Sequence, residues 1–304
     1  MTKPVIKFLR TGAAAALALL SAASFAGEGS FGWVYTLDLQ PKGKYEVEQK
    51  IDLTHGQATG DYNFGLYRTE LEYGISNDLQ IGGYLNAATI DARRNYLDAD
   101  VCAGVVPCTA GFGVPGNHND QNGFHLHEID GMSVEGIWRI TNPVTAPVGV
   151  GLYVEPTWGR LENELEMRLL LQSNFLDDRL VLVANFLYEM EKEKYDHPGG
   201  VILNSMGDVL YGANYRFAPG WTAGVEARYH TDHDGYWFNT RTQTARFAGP
   251  NLHYASQNWW GTVAWRHELG GGCNNDGMAD CSEGHVWDNH GRNQYLLKVG
   301  YQFD

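Results

Sequence analysis

The sequence predicts an all-β fold: a transmembrane, antiparallel, up-and-down β-barrel of twelve strands, with fourteen as the alternative count. Three observations predict it. Apolar and polar residues alternate along segment after segment, the period-two mark of strands with two unlike faces. The connections between segments alternate between short and long, as in barrels with tight periplasmic turns and longer outside loops. Aromatic residues gather toward the strand ends, in two bands separated by small and aliphatic residues.

The elements follow in order. Residues 1–26 read as a secretory signal peptide. Lys3, Lys7 and Arg10 give a positive start, TGAAAALALLSAA (11–23) an apolar core, and SFA (24–26) a small-residue end. The apolar run is shorter than the ~20 residues a spanning helix needs. Residues 27–43 form a lead-in that ends in the turn-like Pro41-Lys42-Gly43. Three places are expected for it: the periplasmic side, the lumen, or extra strands of a fourteen-strand form. The barrel proper spans 44–304.

Its first strand, KYEVEQKIDLT (44–54), sets Tyr45, Val47, Ile51 and Leu53 against Glu46, Glu48, Lys50 and Asp52. The next sets Tyr67, Leu71 and Tyr73 against Arg68, Glu70 and Glu72, and Ser76-Asn77-Asp78 turns the chain into 79–88. Val134, Trp138 and Ile140 oppose Ser133, Glu135 and Arg139; Val150, Leu152 and Val154 oppose Gly151, Tyr153 and Glu155. Leu165, Met167 and Leu169 oppose Glu164, Glu166 and Arg168; Phe186 and Tyr188 oppose Asn185 and Glu189. Tyr211, Tyr215 and Phe217 oppose Asp208, Asn214 and Arg216; Val225 and Tyr229 oppose Glu226 and Arg228. Residues 244–254 are a weaker strand with Pro250 inside, 258–267 sets Val263 and Trp265 against Thr262 and Arg266, and 295–303 closes the set with Lys298 and Gln302 on its polar row. The strands start near 44, 62, 79, 125, 147, 163, 180, 203, 220, 244, 257 and 293, an even number as bacterial single-chain barrels require. Connections are short at 76–78, 142–146, 176–179, 218–220 and 255–257. They are long at 92–123, 193–202, 232–243 and 268–292; only 159–163 is short on that side.

Composition narrows the partners. With the signal's three bases removed from the 22 Lys and Arg, 36 acids face 19 bases, a charge of about −17. So acidic a chain does not bind nucleic acid through a basic patch. The four cysteines form two local pairs, Cys102 with Cys108 and Cys273 with Cys281, in polar stretches. In an oxidising compartment these are expected as short-loop disulfides. Spacings of six and eight do not match the close pairs of zinc sites. Histidines cluster toward the long-loop side (His118, His125, His127, His230, His233, His285, His290), and CNNDGMADCSE (273–283) misses the EF-hand spacing. No cofactor is expected.

A soluble, lipocalin-like barrel would also alternate, but it gives no reason for bands of rings. Tyr45, Tyr73, Trp138, Phe175, Phe217, Trp221, Trp259, Tyr301 and Phe303 fall near the short-turn ends. Trp158, Tyr188, Tyr229, Trp265 and Tyr295 fall near the long-loop ends. An Arg or Lys facing lipid at the midplane costs roughly 2–4 kcal/mol, and the arginines named above all keep to the polar rows. The apolar rows are therefore expected to face lipid and the polar rows a wet lumen. Its expected lining is Glu46, Glu48, Lys50, Arg68, Glu70, Glu72, Glu135, Arg139, Glu155, Glu164, Glu166, Arg168, Glu189, Arg216, Glu226, Arg228, Arg266 and Lys298.

The stretch GWVYTLDLQPKGKYEVEQ (32–49), followed by YRTELEYGISNDLQIGGYLN (67–86), resembles an uncharacterised family of bacterial outer-membrane proteins grouped with porins and transporters. The closing YLLKVGYQF (295–303) resembles the assembly signal of Gram-negative outer-membrane barrels, with Asp304 added after the last aromatic. The resemblance implies a Gram-negative outer-membrane location, lipid contact, and a barrel-assembly machinery that reads the C-terminal strand. It supplies no catalytic residues.

Charged rings in a pore tune which solutes pass. The expectation is therefore a channel for small hydrophilic or charged solutes, narrow or plugged, since wide channels appear at 16–18 strands. Two other classes stand beside it. One is a sealed structural or binding barrel whose 92–123 and 268–292 loops meet a partner. The other is a lipid-modifying enzyme, which would need a Ser–His pair on the outer wall, whereas His230 shares the lumenal row of Arg228.

Overall fold

A computed structural model of the chain describes residues 28–303 except 96–108, 116–117, 119–122, 195–200, 275–280, 283 and 287–290. The expected signal peptide and the Cys102–Cys108 pair lie outside the described residues. The barrel strands are β1 (Tyr45–His55), β2 (Asp61–Ser76), β3 (Leu79–Arg93), β4 (Phe124–Thr141), β5 (Gly149–Gly159) and β6 (Glu162–Phe175). They continue with β7 (Leu180–Glu193), β8 (Ile202–Ala218), β9 (Trp221–Asp234), β10 (Thr240–Ala255), β11 (Trp259–Cys273) and β12 (Asn293–Phe303). Each pairs antiparallel with its chain neighbours, and β1 pairs with β12 from Tyr45↔Phe303 to His55↔Asn293. The ring is closed at twelve strands, not fourteen.

The alternation that forms the strands also sorts the faces. Val225, Leu152, Val263 and Trp158 point outward, Trp158 with 52% of its surface exposed. Residues one position away are buried inside the ring: Glu226, Tyr153, Thr262 and Thr157. Apolar exteriors of this extent are unstable in water and stable against hydrocarbon. At the short-turn end Tyr73, Tyr45, Phe303, Tyr301 and Trp259 run ring to ring across the β1–β12 seam, with centroids 4.6–6.3 Å apart. Amphipathic rings of this kind sit at the membrane–water interface.

Two breaks in the pattern have local causes. Asp130 is a bulge on β4: Asn86 pairs with Gly131 and Ala87 with Ile129, leaving Asp130 without an opposite residue. Its carboxylate accepts the Arg160 and Leu161 backbone N–H groups. Pro250 interrupts β10, and the β10–β11 register passes from Ala248 to Asn251 around it. A proline has no N–H to give a ladder, so the β10–β11 pairing lapses at Gly249 and Pro250 with its register unchanged, the bulge of this pair lying between Arg246 and Phe247.

The lead-in is inside. Residues 29–40 form an extended strap across the periplasmic half of the lumen, joined to β1 by a turn. Lys44 N–H donates to Pro41 at 3.0 Å, and Gly43 takes φ +81°, which favours glycine. The strap adds no strand to the sheet. Phe31, Trp33 and Val34 pack against the inward Val183, Leu187, Leu210, Ala264 and Leu296; Leu37 and Leu39 pack against Ile137, Tyr153 and Leu170. The wall is shaped for it. A Cβ on Gly212 would meet the Phe31 ring at 2.5 Å, and one on Gly151 would meet Leu37 at 2.5 Å. Each fully buried side chain of this size contributes roughly 1.5–3 kcal/mol.

The outer mouth is also narrowed. Residues 109–115 fold inward, where Phe112 and Val114 cover Tyr62, Ala88, Ile90, Ala92 and Leu161. A ribbon of Cys281–Ser282 paired with His285–Val286 seats Val286 on Ala245 and Phe247. The Cys273–Cys281 disulfide anchors that ribbon to the end of β11.

A charged chamber between a strap and a mouth

The strap's backbone needs partners, because a buried N–H or C=O left alone costs about as much as a lost hydrogen bond. With no ladder available, wall side chains supply them. Glu226 accepts from Gly32 N–H (2.6 Å), Trp33 N–H (2.8 Å) and Val34 N–H (3.2 Å). Asn185 accepts from Tyr35 N–H at 2.7 Å and donates to its carbonyl at 3.0 Å, as a neighbouring strand would. Gln172 and Gln80 accept from Leu37 and Gln40 N–H, and Arg168 and Arg139 donate to the Trp33 and Leu37 carbonyls. Burial pushes the Asp38 carboxyl above the usual carboxylate range, against hydrogen bonds from Gln172 and Thr36.

Above the strap and below Phe112 lies a chamber of about 270 Å³. Trp33 and Tyr35 of the strap line it, with Phe112 and Leu161 on the mouth side. Of the residues expected to line the lumen, Lys50, Arg68, Glu164, Glu166, Arg168, Glu189, Arg228 and Arg266 line this chamber. The expected picture of one water-filled row is corrected for the others. Glu46, Glu48, Glu70, Glu72 and Glu135 are buried at 5% exposure or less in the half that the strap fills. Trp260 Nε1 donates to Glu46, Gln40 Nε2 to Glu72 and Tyr84 to Glu135. Glu226 is taken up by strap amides, and Glu155 by Arg68 and Tyr153. Lys298 lies 5.6 Å from the Trp260 ring centroid. Arg139 is at the periplasmic rim with Asp78, and Arg216 there donates to the Asp177 carbonyl at 3.4 Å.

The chamber also holds Asp52 and Asp208, expected on the polar rows, and Glu162 and Glu191, which lay outside the expected lining. Three of its arginines are answered locally. Arg68 pairs with Glu155, Arg168 holds Glu166 through two nitrogens, and Arg228 pairs with Asp208. His230 is fully buried beside the chamber, with Nδ1 2.6 Å from Asp208 and Nε2 2.8 Å from Asp232. Among the described residues, the groups with metal-ligand spacing are carboxylates throughout: Glu46–Glu48–Glu72, Glu70–Glu72–Glu135 and Glu164–Glu166–Glu189, each with oxygens within 4.8 Å of one another. Oxygen donors so spaced suit a hard divalent cation rather than zinc or copper.

A closed antiparallel ring, apolar outside, girdled by rings at its short-turn end and charged within, defines a Gram-negative outer-membrane β-barrel. The chain belongs to a family of unknown function (DUF6662), whose model matches residues 23–303. No curated protein matches it. Among solved structures it is similar to the COG4313 outer membrane channel from Pseudomonas putida F1, at 8% identity, over 87% of this chain and 97% of that one, with a TM-score of 0.56. It is also similar to the NanC porin, at 11% identity, over 84% and 98%, with a TM-score of 0.50. At these identities the likeness is one of fold.

Proposed function

We propose that this protein is an outer-membrane channel for passive passage of small hydrophilic or charged solutes, closed at rest by its own N-terminal strap. One observation carries the reading: a charged chamber inside a lipid-facing ring, bounded on one side by a segment that takes no part in the ring's ladder. The strap rests on side-chain hydrogen bonds worth about 0.5–1.5 kcal/mol each and on two apolar clusters. Its release breaks no strand pairing, so the wall stays intact while the lumen opens. The channel solved from Pseudomonas putida F1 supports the reading at the level of fold.

A sealed structural or binding barrel is the second reading. The strap and the inward-folded 109–115 segment favour it, since together they fill both ends. Planar-bilayer recording separates the two. The full chain is expected to give small, brief steps, and a variant lacking residues 28–40 larger, sustained ones. Silence from a heat-modifiable barrel of the shortened variant would overturn the channel reading and leave the sealed one. Reversal potentials in a salt gradient then read the charge preference.

A further inference from the structure

We propose that the chamber selects small zwitterionic solutes, placing their anionic group against Lys50 and Arg266 and their cationic group against Glu162, Glu164, Glu189 and Glu191. The proposal rests on the channel reading and names its substrate class.

The argument begins with ring order. In a twelve-strand ring, strands six places apart face each other across the lumen. That puts β7 opposite β1 and β6 opposite β12. On β6 and β7 the register sets Glu162 against Glu193, Glu164 against Glu191, and Glu166 against Glu189. Like charges directly opposite destabilise a sheet, so this ladder of acids is not explained by strand pairing. Arg168 answers Glu166. Glu162, Glu164, Glu189 and Glu191 have no ion pair with a base among the described residues, and all four line the chamber.

The facing wall has the opposite sign. Lys50 on β1 stands in register between Arg68 and Lys298, three cations in one row. The Lys50 ammonium has no hydrogen bond or ion pair among the described residues. Arg266 on β11 is 7% exposed. Its Nε donates to Gln294 and its plane lies 4.1 Å from the Trp33 ring centroid, yet no carboxylate pairs with it among the described residues. Of this wall's acids, which include Glu48 and Glu268 further along the same rows, Asp52 lines the chamber, and it accepts the Trp33 indole N–H at 2.7 Å. A guanidinium so buried and without an anion is costly, and a solute's carboxylate or similar group relieves that cost.

Both walls bound one chamber, whose 270 Å³ lies near the lower end of the roughly 300–1,000 Å³ of small-molecule sites. A monovalent ion satisfies one wall and is repelled by the other. A neutral solute satisfies neither. A molecule with separated opposite charges satisfies both and is oriented across the lumen.

The test uses four forms of one dipeptide: Ala-Ala, its N-acetyl form, its C-terminal amide, and the doubly blocked form. Binding to the full-chain barrel in detergent is read by saturation-transfer NMR, and flux by proteoliposome uptake. Ala-Ala is expected to bind about tenfold better than either singly blocked form, the factor one charge-assisted contact supplies. Lys50→Gln with Arg266→Gln should lower Ala-Ala to the level of its amide. Glu164→Gln with Glu189→Gln should lower it to the level of its N-acetyl form. Equal binding of all four forms, or equal binding of Ala-Ala and either singly charged form, overturns the proposal. Selective binding by a barrel that carries no current refutes passage but sustains the assignment of the chamber.

Discussion

Glu226 concentrates the strap's seating in one side chain. It accepts three consecutive backbone N–H groups from a position that is 5% exposed. Glu226→Ala strands those donors, at about 1–3 kcal/mol each. We expect the N-terminal segment of that variant to be cut by protease well before the barrel, while Glu226→Gln, which keeps one acceptor oxygen, lies in between. Asp38 adds a pH dependence of known sign. Burial raises its carboxyl's pKa in the seated strap, with Arg139 opposing and Asp178 reinforcing the rise. The seated form therefore holds a proton more readily than the free form. Seating is favoured fully below the free carboxyl's value near 4 and weakens as pH rises through the raised one. Proteolysis of the strap should be slower at pH 4 than at pH 7, and Asp38→Asn should flatten that difference. Some of this was legible at residue level. In Leu169-Leu170-Leu171 the alternation fails, since Leu170 is apolar on a lumenal row. An apolar residue on a wet row signals something packed over it, here Leu37 and Leu39.

At the scale of elements, the strands were readable, while the strap's place in the lumen was one of three that the sequence left open. A strand announces itself by period two because one face meets lipid and the other the lumen. The strap is enclosed on all sides: Tyr35 to Gln40 do alternate, but the polar Thr36 and Gln40 are as buried as Leu37 and Leu39, and its side-chain partners lie up to 262 positions away. The weak strand around Pro250 was legible only in part, because its pairing to β9 runs through the proline in unbroken register. The ribbon carrying Val286 gives a test. Reducing Cys273–Cys281 leaves the ribbon tied to β11 by the Gly271–Gly284 and Val286–Glu268 hydrogen bonds and touches no barrel ladder. We expect the far-ultraviolet dichroism and heat-modifiability to be unchanged, and faster amide exchange at 281–286.

For the whole molecule, the sign of each face is the main energetic commitment. Leu169 and Val225 point outward with 38% and 59% exposure. Leu169→Arg or Val225→Arg should each cost roughly 2–4 kcal/mol in denaturant titrations of folding into bilayers. Which residues lie on the lumenal rows could be read from parity alone. Their distribution into a filled half and an open chamber could not, because that depends on where the strap lies. The opposition of acids on β6 and β7 to bases on β1 and β11 likewise exists only once the ring closes. One last consequence belongs to the turn at Gly43. The strap is tethered there, at the inner rim, and its other face lies beneath Phe112 and Leu161. On the proposed channel reading, a flap hinged at one rim responds unequally to the two polarities, and current should rectify, flowing more readily under the polarity that drives the flap toward the periplasm.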